Sequence, residues 1–326
     1  MKLTTAVTAS ACLALLTACS SGTTPSSTGS NPTGQSDNRN VSLVLGVKGS
    51  PFYEALACGA KSEAKKLDLN LSVSAPDQFA ADSQIPVVNA VAARKPAVAA
   101  LVPTDAQALM SPTNKLKSAG TKVITVDQTL ADPKAAQAQI ITDNEKGGQM
   151  AAQEMEKLLH GKGKVLVITQ PPGSTAQDAR TKGFEEQIKK YPGITYLGAQ
   201  YQSDDPQKAA QIITSTMSAH PDLAGVFTTN DQGAIGTVTG LKQAKAAKKV
   251  KVVAYDAASA EVAALKNGII SALIVQNPKQ EGQVAMQTAS KLIKGQSVKR
   301  TILTDLIVIG PGEDAKADKY EYKAGC

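Results

Sequence analysis

Residues 226–232 are Val226-Phe227-Thr228-Thr229-Asn230-Asp231-Gln232, an apolar, β-rich run that turns abruptly into polar side chains. After a helix-length interval the pattern returns in residues 252–256, Val252-Val253-Ala254-Tyr255-Asp256. The first half of the chain contains a similar pair at residues 100–107 and 123–127. We interpret the match as a duplicated half-domain. In open parallel sheets, ligands bind outside the carboxyl ends of the strands, and three polar residues fall at such ends: Asp127, Asn230 and Asp256.

Short apolar runs alternate with amphipathic stretches of helical period along the rest of the chain. The pattern predicts strands at 41–47, 69–75, 98–102, 122–127, 164–168, 194–200, 225–228, 250–255 and 271–275. It predicts intervening helices at 52–67, 145–159, 176–190, 206–219 and 279–294. Because helices of this length serve as crossovers between parallel strands, the predicted fold class is α/β, with two doubly wound parallel-sheet lobes.

The composition of the 326-residue chain is compatible with two lobes. Hydrophobic residues make up 42% of the sequence, enough for a sizeable core. The net charge of +7 comes from lysines and arginines interspersed with acidic residues. We interpret the paired lysines as solvated helix faces, since no aromatic-rich basic motif accompanies them. Nucleic acid is therefore not an expected partner.

The first nineteen residues resemble a lipoprotein export signal. Lys2 precedes an uncharged, mostly apolar run that ends in Leu16-Thr17-Ala18-Cys19. We predict a signal peptide over residues 1–18, lipidation of Cys19, and a disordered tether over 19–40, which is rich in Ser, Gly, Thr, Pro and Asn. The expected location is extracytoplasmic, lipid-anchored to the cell membrane of a bacterial envelope. The alternative is a simple secretory peptide with a chance cysteine.

Two cysteines are left once Cys12 departs with the signal and Cys19 carries lipid. An even pair outside the cytoplasm suggests a disulfide between Cys58 and Cys326, which would attach the tail at 311–325 to the body. The alternative is a buried Cys58 and a free thiol at Cys326.

Several motifs together resemble the periplasmic sugar-binding proteins of ABC importers, the ribose and galactose binder family with the type I two-lobe fold. The resemblance covers nearly all of residues 41–309. The segments that carry it, in the family's order, are residues 50–53, 126–127, 142–148, 179–184, 229–231, 254–256 and 275–278.

This resemblance implies two lobes joined by a three-strand hinge, with crossovers near residues 142–143, 276–277 and 304–305. The lobes would comprise residues 41–142 plus 277–304 and residues 143–276 plus 305–326. The implied ligand contacts are Ser50, Phe52, Tyr53, Asp127, Gln128, Arg180, Asn230, Asp256 and Gln276. The implied partners are a sugar or polyol and the permease subunits of an ABC transporter, with the binding protein itself a monomer.

The chemistry of these residue types suits a polyhydroxylated ligand. Each aspartate accepts from two neighbouring hydroxyls, the arginine donates in a planar fork, and the amides both donate and accept. An aromatic face covers the C–H face of a sugar ring. Local roles are the alternative: Asp127 and Asp256 as turn or cap residues, Phe52 as core, and Arg180 in a surface ion pair.

The chain departs from the ribose binders at two positions. Gln128 stands where they have an arginine, and Asp204 stands where a second stacking aromatic is expected. These departures put in question the pair of aromatic rings that would enclose a sugar ring from both sides. They make other ligands credible: a polyol, an unusual pentose, or an aminated sugar that uses Asp178 or Asp204.

Signatures of catalysis are missing from the sequence. There is no phosphate loop, nucleophile elbow or dinucleotide fingerprint, and His160 and His220 have no companions at metal-ligand spacing. We therefore expect no enzyme activity, no cofactor and no metal. The rival readings are a ligand-binding sensor for a chemoreceptor or kinase, and a binder of a nucleoside or furanosyl signal molecule. A repressor core is disfavoured, because a signal and tether occupy the place of a DNA-reading helix pair.

Overall fold

A computed structural model of the chain describes residues 38–323 and 326. The predicted signal peptide, the lipidation site Cys19 and nearly all of the predicted tether lie outside the described residues. The described part contains two six-stranded sheets, in agreement with the predicted two-lobe α/β class.

The first sheet is entirely parallel. Its strands are β1 (Asn40–Val44), β2 (Asn70–Ser74), β3 (Val98–Leu101), β4 (Lys122–Val126), β5 (Ala138–Thr142) and, much later in the chain, β11 (Thr301–Thr304). Their order is β11-β5-β4-β3-β1-β2. The central strand β3 is buried along its whole length, and β4 is buried at every residue after Lys122, as expected for a sheet covered on both faces.

The second sheet repeats this arrangement. Its strands are β6 (Gly163–Thr169), β7 (Ile194–Tyr201), β8 (Leu223–Thr228), β9 (Lys251–Tyr255), β10 (Ala272–Gln276) and β12 (Leu306–Ile309), in the order β12-β10-β9-β8-β6-β7. Only β12 departs from the predicted parallel direction, pairing antiparallel with β10 so that Leu306 lies opposite Gln276. The reason is geometric: one residue, Asp305, separates β11 from β12. The chain therefore enters the second sheet at the carboxyl end of β10 and runs back along it.

Ten helices in the described residues flank the sheets. They are α1 (Pro51–Lys66), α2 (Ala81–Arg94), α3 (Met110–Ser118), α4 (Asn144–Leu159), α5 (Thr175–Ile188), α6 (Pro206–Ala219), α7 (Asp231–Gln243), α8 (Ser259–Lys266), α9 (Pro278–Ile293) and α10 (Asp314–Tyr320). We call the first sheet with α1, α2, α3 and α9 the first lobe, and the second sheet with α4 to α8 the second lobe. None of these described helices has the length and apolar character needed to cross a membrane.

Side chains at strand ends start several of the helices. Asp143, Asp205, Asn230 and Asn277 each accept a hydrogen bond from a backbone N–H in the first turn of the following helix. These caps satisfy donors that have no partner within the helix. The polar residues that end a strand thus also fix the start of the next helix, which holds them at the carboxyl edge of the sheet.

Two helix pairs approach each other through glycines in the same way. A Cβ atom on Gly59 of α1 or Gly282 of α9 would overlap the backbone of the other helix. In the second lobe, Gly148 of α4 and Gly183 of α5 make the equivalent close contacts. The glycines let each pair come nearer than side chains allow, and the repetition reflects the internal duplication.

The three crossovers between the lobes meet in a buried polar cluster. The Thr142 hydroxyl at the end of β5 lies within hydrogen-bond distance of two acceptors, Gln276 Oε1 at 2.9 Å and Glu281 Oε1 at 3.0 Å, and donates its one hydrogen between them. Thr304, at the end of β11, also donates to Glu281 Oε1 at 3.2 Å. Burial raises the pKa of Glu281 well above its usual range. We call Thr142, Gln276, Glu281 and Thr304 the hinge cluster.

The end of the chain is held against the body at two points. Cys326 forms a disulfide with Cys58 of α1, across a sequence separation of 268 residues. Tyr322 is 3% exposed, and its backbone N–H bonds to Ala257 O in the second lobe. The disulfide is therefore not the only attachment of this segment, because the segment also forms α10 and buries the ring of Tyr322.

Candidate functional site

Two aspartates occupy equivalent positions in the two lobes. Asp127 follows β4 and Asp256 follows β9, and their backbone N–H groups bond to Ile140 O and Ile274 O of the neighbouring strands. Both adopt left-handed backbone conformations, with φ of 62° and 89°. Such angles cost a non-glycine residue about 1 kcal/mol or more and are frequent at functional sites. The predicted turn role and a role in the cleft are thus compatible, since the turn holds a carboxylate at each strand end.

The carboxyl ends of both sheets enclose one cavity between the lobes. Its volume is about 30 Å³, room for one or two waters, so the lobes must separate to admit a larger solute. All nine residues named from the resemblance line it: Ser50, Phe52, Tyr53, Asp127, Gln128, Arg180, Asn230, Asp256 and Gln276. Both lobes contribute to the set, so a molecule in the cavity would contact both at once.

Arg180 of α5 is the cation of this cavity and is only 2% exposed, which rules out the surface ion pair. Its Nε donates to Asn144 Oδ1 and its Nη1 to Thr229 O, both at 2.8 Å. Its guanidinium carbon lies 3.8 Å from the centre of the Tyr255 ring, a cation–π contact. Its Nη2 has no partner among the described residues. An unpaired buried donor costs about 1–3 kcal/mol, which an oxygen of a bound solute would recover.

The carboxylates of the two aspartates are held by neighbouring side chains. Tyr53 donates from its hydroxyl to Asp127 Oδ2 at 3.0 Å. Gln276 Nε2 and the Tyr322 hydroxyl donate to Asp256 Oδ1 at 2.7 and 3.1 Å. Burial raises the pKa of Asp127 to about 6, against the opposing effect of Arg180. These contacts orient both groups before any solute arrives.

Gln128 lines the cavity but also joins the lobes. Its Oε1 accepts from the Thr175 hydroxyl at 3.1 Å and from the backbone N–H of Ala176 at 2.9 Å, both at the start of α5. On the same edge, Thr129 N donates to Thr175 Oγ1 at 2.8 Å and Ala106 N donates to Gly173 O at 3.0 Å. We call these four hydrogen bonds the interlobe latch. Because the latch uses the amide oxygen of Gln128, only its NH₂ group is available to a solute.

Ser50 and Phe52 play partly local roles. Ser50 precedes α1 without making a side-chain cap. Phe52 packs edge-on against Tyr53 and Tyr322, with ring centres 5.2 and 5.9 Å apart. Phe52 is thus both core and cavity wall.

Further residues line the cavity that the motifs did not single out: Val47, Phe79, Gln170, Gln177 and Asp231, together with Asp204, considered earlier only as a departure. Phe79 lies in a loop without periodicity, and its ring is parallel to that of Tyr53 with centres 6.4 Å apart. The aromatic residues of the lining, Phe52, Tyr53 and Phe79, all belong to the first lobe. The second lobe faces them with carboxylates and amides.

Asp204 and its neighbours differ in role. Asp205 caps α6, whereas Asp204 accepts at Oδ1 from Gln170 Nε2 and Asn230 Nδ2, at 3.0 and 2.9 Å. Asp178 is outside the cavity lining, and its Oδ2 accepts from Gly173 N. Asp204 and Phe79 also border an adjoining, wider cavity of about 580 Å³ towards the mouth of the cleft.

The residues that the structure describes include no group of three or more His, Cys, Asp or Glu arranged to hold a metal ion. The cleft instead offers directional donors and acceptors around one guanidinium.

Residues 41–297 match the family of periplasmic binding protein domains. The chain belongs to this family. The ribose import binding protein RbsB of Salmonella typhimurium is 29% identical over 269 residues, which are 82% of this chain and 90% of that protein. RbsB of Bacillus subtilis is 27% identical over 309 residues, 94% of this chain and 98% of that protein.

Solved structures agree with the fold. An ABC transporter solute-binding protein from Agrobacterium vitis, bound with alpha-D-tagatopyranose, has a TM-score of 0.85 and 32% identity, covering 87% of this chain and 99% of that chain. Membership of the family confirms the resemblance to the periplasmic sugar-binding proteins and the expected two-lobe class. The chain is a binding protein rather than an enzyme.

Proposed function

We propose that the protein captures a sugar or sugar-like polyol between its lobes and delivers it to the permease of an ABC transporter. The observation that carries this proposal is the single cavity lined by Asp127 and Asp256, equivalent carboxylates from the two lobes, with the unpaired Nη2 of Arg180. Carboxylates that each accept from neighbouring hydroxyls, facing a planar donor, match the surface of a polyol. The named relatives, a ribose import binding protein and a solute-binding protein bound with tagatopyranose, support the same solute class.

Closure of the lobes would report that the cleft is occupied. A solute that contacts both lobes binds the closed state better than the open one, and so shifts the population towards it. The permease would then bind the surface that the two lobes form together in the closed state. The hinge cluster supports this motion, because it joins the three crossovers at one buried point.

The lobes would comprise residues 41–142 plus 277–304 and residues 143–276 plus 305–326. Pairing of β11 with β5 and of β12 with β10 supports these boundaries, as does the contact of α9 with α1. The disulfide then connects the second lobe's last residue to α1 of the first lobe, beside the crossovers.

We also propose that a lipid on Cys19 anchors the protein outside the cytoplasm. The motif at 16–19 and the polar composition of 19–40 support this assignment. Mass spectrometry of the membrane fraction tests it, and an unmodified amino terminus would exclude the anchor.

Solute capture is tested by native mass spectrometry of the freshly purified protein, followed by titration calorimetry with pentoses, hexoses, polyols and nucleosides. We expect a sugar or polyol to bind, and the double variant Asp127→Asn, Asp256→Asn to lose at least about 100-fold in affinity, since each carboxylate makes charge-assisted bonds. Asp314→Asn, an exposed position on α10, is the matched control. Undiminished capture by the double variant, or binding of a nucleoside alone, would contradict the proposal.

A further inference from the structure

The cavity between the lobes carries an excess of negative charge. Its lining contains four carboxylates, Asp127, Asp204, Asp231 and Asp256, against the one guanidinium of Arg180. Among the described residues, no lysine or arginine nitrogen lies within 4.0 Å of any of the four. The imbalance is local, because the chain as a whole has a net charge of +7. Burial raises the pKa of Asp127 and of Asp256, and the charge of Arg180 opposes this effect. Among the described residues no cation opposes it at Asp204, so the Asp204 side of the cavity favours a positively charged occupant.

Asp204 lines the cavity, and one of its two carboxylate oxygens has no hydrogen-bond partner among the described residues. Its Oδ1 is held by the two amides of Gln170 and Asn230, whereas its Oδ2 accepts no hydrogen bond from the described residues. The residue itself has a left-handed backbone, with φ of 59°. The two amides therefore fix the orientation of the carboxylate and leave one oxygen for a ligand.

A second, independent feature of the same wall also requires a donor. Gln177 is 5% exposed and lines the cavity, and its Oε1 is buried without a partner among the described residues. The second lobe thus offers a carboxylate oxygen and an amide oxygen where an aromatic ring would close a neutral sugar sandwich. Both atoms are acceptors, so the matching group on a solute carries several N–H or O–H donors.

A protonated amine fits these requirements better than a hydroxyl or a metal ion. An ammonium has three donors and a full positive charge, which a hydroxyl lacks. A metal ion would need three or more carboxylate, histidine or cysteine ligands together, and the described part of the chain has no such group.

We infer that the solute is an amino sugar, or an amino polyol, whose ammonium group lies against Asp204. This inference rests on the proposed function, because it specifies the chemical class bound in the same cleft. The hydroxyls of the solute would form hydrogen bonds with Asp127, Arg180 and Asp256, and its ammonium group would bind to the second lobe.

Calorimetry at neutral pH with matched sugar sets tests the inference. Each set contains an aminodeoxy sugar with the amine at C2, C3 or C6, its neutral parent, and its N-acetyl derivative, which keeps the substituent but removes the charge. The key variant is Asp204→Asn, which preserves size and the acceptor at Oδ1. Asp222→Asn removes the same charge from an exposed ion pair with Lys164 and is the control.

We expect at least one amino sugar to bind about tenfold or more tightly than both of its uncharged counterparts, the low end for a charge-assisted hydrogen bond. Asp204→Asn should abolish this preference for the charged sugar over its neutral parent, and Asp222→Asn should retain it. Neutral sugars binding as tightly as the amines, or a preference that survives in Asp204→Asn, would overturn the inference and leave the proposed function standing. Binding of no sugar of either kind would remove both.

Discussion

Replacing Gln128 by alanine should favour separation of the lobes. The substitution removes the acceptor of two bonds in the interlobe latch, from the Thr175 hydroxyl and the Ala176 N–H. Each is worth about 1 kcal/mol net, because both donors regain water when the cleft opens. The closed state is therefore expected to lose about 2 kcal/mol relative to the open state, which is about 30-fold in the equilibrium constant.

This change has two measurable consequences. Small-angle scattering of the solute-free protein should report a larger radius of gyration for Gln128→Ala. If the open form becomes dominant, sugar affinity should fall by up to the same factor, because the solute has to drive closure. Gln243→Ala, an exposed position at the end of α7, is the matched control and should change neither quantity.

The partner variant Thr175→Ala separates the latch from a direct solute contact. It removes latch bonds from the second lobe without altering the NH₂ group of Gln128. A shared latch predicts that the double variant is less affected than the sum of the single effects. The latch would be refuted if Gln128→Ala lost affinity with an unchanged radius of gyration and showed no coupling to Thr175→Ala. The loss would then be explained by a direct contact of Gln128 with the solute, as the resemblance implies.

Two further predictions concern stability. Burial raises the pKa of Asp204 to about 6, and burial with the nearby charges of Asp256 and Asp204 raises that of Asp231 to about 7, whereas both titrate near about 4 in an unfolded chain. The folded state thus binds protons that the unfolded state releases, so the contribution of these two groups to stability is full below about pH 4 and is lost as pH rises towards about 7. Thermal melts of the solute-free wild type and of Asp231→Asn should differ in this way, and an equal pH slope in the two proteins would contradict it. Separately, Cys58→Ser with Cys326→Ser removes a crosslink spanning 268 residues and should cost about 3 kcal/mol of unfolding free energy. Denaturant melts of the oxidised protein measure this loss, and equal midpoints for wild type and variant would exclude it.

The sequence was sufficient for the repeating architecture. Alternation of strand and helix, the helix lengths and the repeated strand-end aspartates are local or near-local signals, so they predicted the α/β class and placed Asp127, Asn230 and Asp256 at strand ends. The full set of nine residues that line one cavity came from the resemblance to the sugar-binding family. Strands β5, β11 and β12 escaped prediction. Their residues favour strands, but the runs are only four or five residues long, and a short apolar run does not by itself distinguish a strand from another buried segment.

Only the tertiary structure determined which other side chains line the cleft. Phe79 and Gln177 lie in segments whose local pattern is that of an ordinary loop and an ordinary helix, and they line the cavity because of how the two lobes pack together. The bond between Gln128 and α5, the antiparallel pairing of β12 and the bond from Tyr322 to Asp256 likewise join residues far apart in sequence. Periodicity along a chain records which face of an element is buried, whereas contacts between residues far apart in sequence depend on how the elements are assembled.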